Sequence, residues 1–239
     1  MILKKLKEEL NQLIVELAKA NLNVDDVTGD VVRNKKGGYG DFTSTVAFSL
    51  NKELKMKPID VATKMLGDDR VFNGATIEVI APGFINIYLE ENWKFKILEK
   101  MQREDVDNIF KLFNISKVKE QLELNYNFLK DEISYIAYRT NWVLSVFEQE
   151  GIYPEVSKIR LAHIKDPFEE ALIDQLIDWL ELQEEETDEG EMVQLLEKIV
   201  EIFHKYHNTL SLRKLDETQR NVVLSLFKII NKMMSCFSL

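Results

Sequence analysis

An internal disulfide is excluded in this chain, because Cys236 is its single cysteine. The apolar setting of that residue, KMMSCFSL, predicts a buried thiol rather than a reactive one. Both points fit a reducing, cytoplasmic compartment. An apolar run of about 18 residues, long enough to span a bilayer, is missing. The opening MILKKLKEEL interleaves Lys and Glu where a signal peptide needs an unbroken apolar stretch. No membrane partner is therefore expected. Glycine is sparse, and the nearest thing to a phosphate-cradling loop is KKGGYG at 35–40. Histidine is scarcer still. His204 and His207 are spaced to share a helical face, but the sequence offers no third ligand beside them, so neither a metal nor a cofactor is expected. The carboxylates, though numerous, show no spacing that sets a catalytic acid–base pair apart from surface charge.

What the chain has in excess is acid: its net charge is -10, which argues against an indiscriminate nucleic-acid binder. The excess is uneven. Residues 1–98 balance 14 basic against 14 acidic side chains, whereas the remainder holds 17 against 27. Seven of those acids crowd into ELQEEETDEGE at 181–191, a tract expected to be a solvated loop. Residues 198–239 carry seven basic and three acidic side chains, so a local field that attracts phosphate can survive the global balance.

Hydrophobic periodicity divides the chain in two. Leu3, Leu6, Leu10, Leu13, Ile14 and Leu17 mark an opening amphipathic helix. DVVR reads as a short strand, NKKGGYGD as a loop, and STVAFSLNKELKM returns to helical period. Pro58 opens the next helix, where its missing N–H costs nothing. ATIEVI and FINIYLE are two strands joined by the turn APG. After Trp93 the pattern is helical: one face is formed by Ile133, Ile136, Ala137, Thr140, Leu144 and Phe147, and Gly151 and Pro154 end that helix. Three more stripes run through Phe168–Trp179, Met192–Phe203 and Val222–Met234. The expected fold class is α+β, with a small N-terminal α/β domain at 1–92, a helical connector at 93–131 and an all-α bundle at 132–239.

The segments GDFTSTVAFSLNKEL at 40–54 and APGFINIYLE at 81–90 resemble the N-terminal domain of arginyl-tRNA synthetases. In the second half, YIAYRTNWVLSVFEQEG at 135–151, FHKYHNTLSL and RNVVLSLFKIINKMMSCFSL resemble the start and end of that family's DALR-type anticodon-binding domain. In the family a nucleotide-binding catalytic domain stands between these parts, with a His-Ile-Gly-His type signature and a Lys-Met-Ser-Lys type loop. Only residues 91–131 fill that place here, too few for a doubly wound domain of roughly 100 residues or more. KMK at 55–57 lies inside the N-terminal motif, and HIK at 163–165 lacks the glycine and the second histidine. The resemblance thus implies a protein without a catalytic site.

What the resemblance implies about contacts can be assigned residue by residue. Tyr135, Tyr138, Tyr206 and His207 match aromatic positions that face the anticodon, Arg139 stands beside the first pair, and Lys205, Arg213 and Arg220 surround the second in sequence as candidate contacts to the phosphate backbone. Asn34, Tyr39, Asp41, Phe42 and Thr43 match the loop that meets the outer corner of tRNA, although the family often has Asn at the position of Thr45. Bland alternatives stand beside these: Asp41 as a helix cap, Phe42 as core, and Trp142, next on the tyrosine stripe, as a bundle-core side chain. Three functional readings follow. The chain is a non-catalytic tRNA-binding protein, its partner being tRNA and in the narrowest form an arginine-accepting one. Alternatively it is an interaction module that docks a synthetase or a tRNA-modifying enzyme, or the non-catalytic polypeptide of a split synthetase.

Overall fold

The computed structural model describes residues 2–35, 38–67, 71–72, 74–103, 115–185 and 188–238. Two compact units divide the chain, one of residues 4–91 and the other of residues 92–239 with 1–3. The architecture is α+β, with the sheet confined to the first unit.

The first unit is built on helices α1 (Ile2–Leu22), α2 (Val46–Leu54) and α3 (Pro58–Leu66) and on strands β1 (Val31–Arg33), β2 (Phe42–Ser44), β3 (Val71–Phe72), β4 (Ala75–Ile80) and β5 (Phe84–Tyr88). The strands form one antiparallel sheet in the order β1-β2-β5-β4-β3. Alternation decides which face is covered. Val31, Phe42, Ser44, Ile77, Ile85 and Ile87 are buried, as are the apolar sides of α2 and α3 at Val46, Ala47, Leu50, Val61, Ala62, Met65 and Leu66. Pro58 occupies the first turn of α3, as its fixed φ favours.

Two glycines hold this sheet close to its surroundings. Gly40 has φ +76°, and a Cβ there would lie 2.8 Å from the Ile87 carbonyl oxygen. Gly83, in the turn between β4 and β5, has φ +150°, and a Cβ there would lie 2.6 Å from the Cβ of Pro58. Each is needed both for its backbone angle and for the space it leaves.

The second unit contains α4 (Trp93–Arg103), α5 (Ile115–Asn125), α6 (Asn127–Gln149), α7 (Pro167–Glu184), α8 (Glu189–Thr209) and α9 (Glu217–Ser235). Three of these helices begin on an aspartate. Asp166 accepts from the Phe168 N–H at 2.8 Å, Asp188 from Gly190 at 2.6 Å and Asp216 from Gln219 at 2.8 Å. Each satisfies an N–H that the first helical turn leaves free. A polar pin joins α6 to α9 through the bundle: Asn231 Nδ2 donates to the Ala137 carbonyl at 2.7 Å and to Thr140 Oγ1 at 3.1 Å.

Several segments differ from the sequence reading. The described helices of 93–131 are part of the helical unit rather than a separate connector, with Phe95, Ile97, Leu98, Met101, Val118 and Leu122 buried. Residues 104–114 lie outside the described residues. Most of the described acidic tract is helical: Glu181, Gln183 and Glu184 end α7 in buried positions, and Asp188 caps α8. Cys236 is half-buried, its thiol donating to the Lys232 carbonyl at 3.3 Å. Phe42–Ser44 is a strand, so the Gly-Asp-Phe segment passes through the sheet before α2 begins.

Gly40→Ala should destabilise the first unit by more than the roughly 1–2 kcal/mol that a left-handed backbone costs any L residue, because the Ile87 carbonyl must also move. Gly38→Ala is the control: its φ is +98° and its Cβ would meet nothing within 4 Å. Thermal unfolding of the two variants should show the larger loss at Gly40.

Candidate functional site

The five expected outer-corner residues fall on one loop and strand, but most of their polar groups turn inward. Asn34 Nδ2 donates to the Tyr39 carbonyl at 2.7 Å and to Thr43 Oγ1 at 2.8 Å, and Thr43 Oγ1 donates to Asn86 Oδ1 at 2.9 Å. Asp41 caps no helix. Its Oδ2 accepts from the Leu89 N–H at 2.8 Å, and its own N–H donates to the Ile87 carbonyl at 2.8 Å. Phe42 is fully buried, because the register that pairs it with Ile87 turns its ring to the covered face of the sheet. It is therefore core and presents no ring to a ligand. Tyr39 alone of the five is largely exposed, at 60%.

On α6 the arrangement is the reverse. Ile133, Ile136, Ala137, Thr140, Val143 and Phe147 face the bundle, which turns Tyr135, Tyr138 and Trp142 outward at 45%, 71% and 49% exposure. Trp142 was expected in the core. It is displaced because its neighbour Val143 takes the inward position one residue later. Arg139 sits between these rings, with its guanidinium carbon 5.0 Å from the centre of the Trp142 ring. Tyr135 stacks on His204, centroids 5.8 Å apart, and His204 Nε2 lies 2.5 Å from Glu132 Oε2.

His207 connects the stripe to α8. Arg139 Nε donates to His207 Nε2 at 3.1 Å, so the ring is neutral with its proton on Nδ1. Burial first, and the Arg139 cation second, hold its pKa below the ordinary histidine value. Arg139, Trp142, Phe147, His207, Arg213 and Lys214 line a pocket of about 400 Å³. Arg213 reaches Glu150 at 2.6 Å and lies over the Phe147 ring at 5.9 Å. Arg220 is committed to the turn before α9, donating to the Leu215 carbonyl at 2.6 Å. Lys205 is exposed and pairs one helical turn back with Glu201 at 2.5 Å, a contact weak enough to exchange for another anion.

Tyr206 was expected beside His207 at the anticodon. It is fully buried, since α8 faces the bundle through Phe203 and Tyr206 while His207 takes the next position around the helix. Its hydroxyl donates to Glu169 Oε1 at 2.6 Å. Burial, then the carboxylate, push its pKa far above the usual phenol range, so it remains a donor. The ring holds a buried carboxylate and offers no stacking face.

Sequence reasoning overlooked Phe128, at 78% the most exposed large apolar side chain among the described residues. It lies in the segment read as a connector. Its heptad spacing from Tyr135 was the available signal.

Residues 2–89 match the family described as arginyl tRNA synthetase N terminal domain. The same part of the chain is 35% identical over 78 residues to an arginine–tRNA ligase of Acinetobacter baumannii, covering 32% of this chain and 13% of that protein. It is 33% identical over 86 residues to the arginine–tRNA ligase of Desulforamulus reducens, covering 35% of this chain and 15% of that protein. Against the enzyme of Saccharophagus degradans the identity is 32% over 90 residues, with the same two shares. The chain thus spans only about a seventh of these relatives' length. Among the described residues, no helix is long and apolar enough to cross a membrane.

Two substitutions test this geometry. Tyr206→Phe removes a donor from a buried carboxylate and should cost about 1–3 kcal/mol of stability, read as a lowered unfolding midpoint. His207 has a depressed pKa, so as pH falls below about 6.5 the unfolded chain takes up the proton first and the folded state loses stability. Between pH 7.5 and 5.5 the midpoint should drop more for the native chain than for His207→Gln, which keeps an acceptor for Arg139.

Proposed function

We propose that this chain, whose residues 2–89 match the arginyl tRNA synthetase N terminal domain and whose described residues beyond them form helices with no nucleotide-binding sheet, is a non-catalytic tRNA-binding protein. The observation that carries the proposal is the outward stripe of Tyr135, Tyr138 and Trp142 around Arg139. Bases splayed from a loop are recognised by flat side chains on which they stack, with cations placed to position the backbone. The helical unit offers both: three half-exposed or more exposed rings on α6, and Lys205, Arg213 and Lys214 on the neighbouring segment. The anticodon loop, at the end of its paired stem, is a part of tRNA that fits such a surface, because its bases are unpaired.

Catalysis is assigned no residues in this proposal. Arginine activation needs a site that holds ATP phosphates, and the helices filling residues 93–125, where described, carry no glycine-rich cradle. The protein should show no arginine-dependent exchange of pyrophosphate with ATP. A robust exchange rate in clean protein would overturn the assignment.

Binding itself makes a sharper test. Affinity for total tRNA should fall linearly with the logarithm of salt, with a slope of about -0.7 to -0.9 for each phosphate contacted. Tyr138→Leu should weaken binding by roughly 1–3 kcal/mol while leaving the unfolding midpoint unchanged, because the ring is 71% exposed. Tyr135→Leu should weaken it similarly with a small loss of stability, since that ring also covers His204. If tRNA does not bind at low salt, the surface serves a protein partner instead, the reading that the chain's acidic balance favours.

A further inference from the structure

We infer that Phe128 extends the RNA-contacting surface of α6, so that the helix receives a run of unpaired, mutually unstacked nucleotides rather than a single base. The inference rests on the tRNA-binding proposal and deepens it. Phe128, Tyr135, Tyr138 and Trp142 fall within roughly 80° of arc at 3.6 residues per turn, and they span roughly 21 Å at 1.5 Å per residue. All four rings are exposed, at 78%, 45%, 71% and 49%. They are the only large aromatic side chains on α6 besides the buried Phe147.

Ring spacing defines the ligand. Along the axis the intervals are roughly 10.5 Å from Phe128 to Tyr135, 4.5 Å to Tyr138 and 6 Å to Trp142. Neighbouring bases in a stacked strand are only about 3.4 Å apart. Adjacent bases that meet different rings must therefore be drawn apart from one another, which a duplex forbids and a loop or single strand permits.

Charge defines the kind of contact. At the Phe128 end of the stripe the exposed neighbour is Asp131, Glu132 is held by His204, and Lys130 is paired with Glu123 at 3.4 Å. A phosphate gains little there, whereas a base face carries no charge to be repelled. Phe128 accordingly adds affinity that salt does not screen, unlike Lys205 and Arg213 farther along.

The test compares native protein, Phe128→Leu, Phe128→Tyr and Tyr138→Leu for binding to tRNA, to a short unstructured RNA oligonucleotide and to the same oligonucleotide annealed to its complement, each over a range of salt. Phe128→Leu should weaken both single-stranded-region ligands by roughly fivefold or more, with a salt slope parallel to that of the native chain. Phe128→Tyr should retain affinity, and the unfolding midpoint of both variants should match the native one. Equal binding of native protein to the duplex, or a changed salt slope for Phe128→Leu, would sink the inference. So would native affinity in Phe128→Leu alongside a loss in Tyr138→Leu, with the tRNA proposal left standing. Failure of native protein to bind any of the three RNAs would instead remove the tRNA proposal and this inference with it.

Discussion

A buried carboxylate organises the helical unit. Glu169 is only 2% exposed, yet its oxygens are supplied with donors from α8 and from the two residues that lead into α7: the Tyr206 hydroxyl at 2.6 Å, the Lys165 N–H at 3.0 Å and the Asp166 N–H at 3.3 Å. The first turn of α7 adds its positive end. A charge withdrawn from water at this depth is tolerable only when so many donors converge. The position of α8 relative to α7 is thereby set to within a hydrogen bond. Because Tyr206 must point inward to reach Glu169, the next residue, His207, is turned toward α6 and Arg139. The orientation of the candidate surface is thus tied to a contact in the core.

The second constraint is the polar pin between α6 and α9. Thr140 and Asn231 lie among apolar side chains and satisfy one another and the Ala137 carbonyl. With Val143 and Phe147 also turned inward, the opposite side of α6 faces solvent. A helix that presents Phe128, Tyr135, Tyr138 and Trp142 to water exposes more apolar surface than folding alone favours. Such a concentration of large rings on one face is the kind of patch that marks an interaction site.

In the first unit the same logic runs the other way. Asn34, Asp41, Thr43 and Asn86 spend their hydrogen bonds on the sheet, and Gly40 lets the chain cross the Ile87 carbonyl at close range. The motif that identifies the domain is largely the motif that builds it. Residue-by-residue transfer of contact roles is accordingly weakest here, where structural demand already accounts for most of the side chains.

Sequence alone determined most of the helices and the β4–β5 hairpin, in their order along the chain. Apolar periodicity placed α6 through α9, Pro58 located the start of α3, and the APG turn located the β4–β5 hairpin, because these signals are local and act through the backbone. The N-terminal family was legible in Gly40, Asp41, Phe42 and Pro82 through Asn86 for the same reason, since a sheet register and two close approaches restrict which residues fit. Only the tertiary structure decided which of two adjacent residues faces in. Val143 rather than Trp142, and Tyr206 rather than His207, took the core positions, and helical period cannot resolve a choice that turns on about 100° of rotation. That choice depends on what the neighbouring helices present, a Glu169 in one case and an Asn231 in the other, and such partners lie dozens of residues away in the chain.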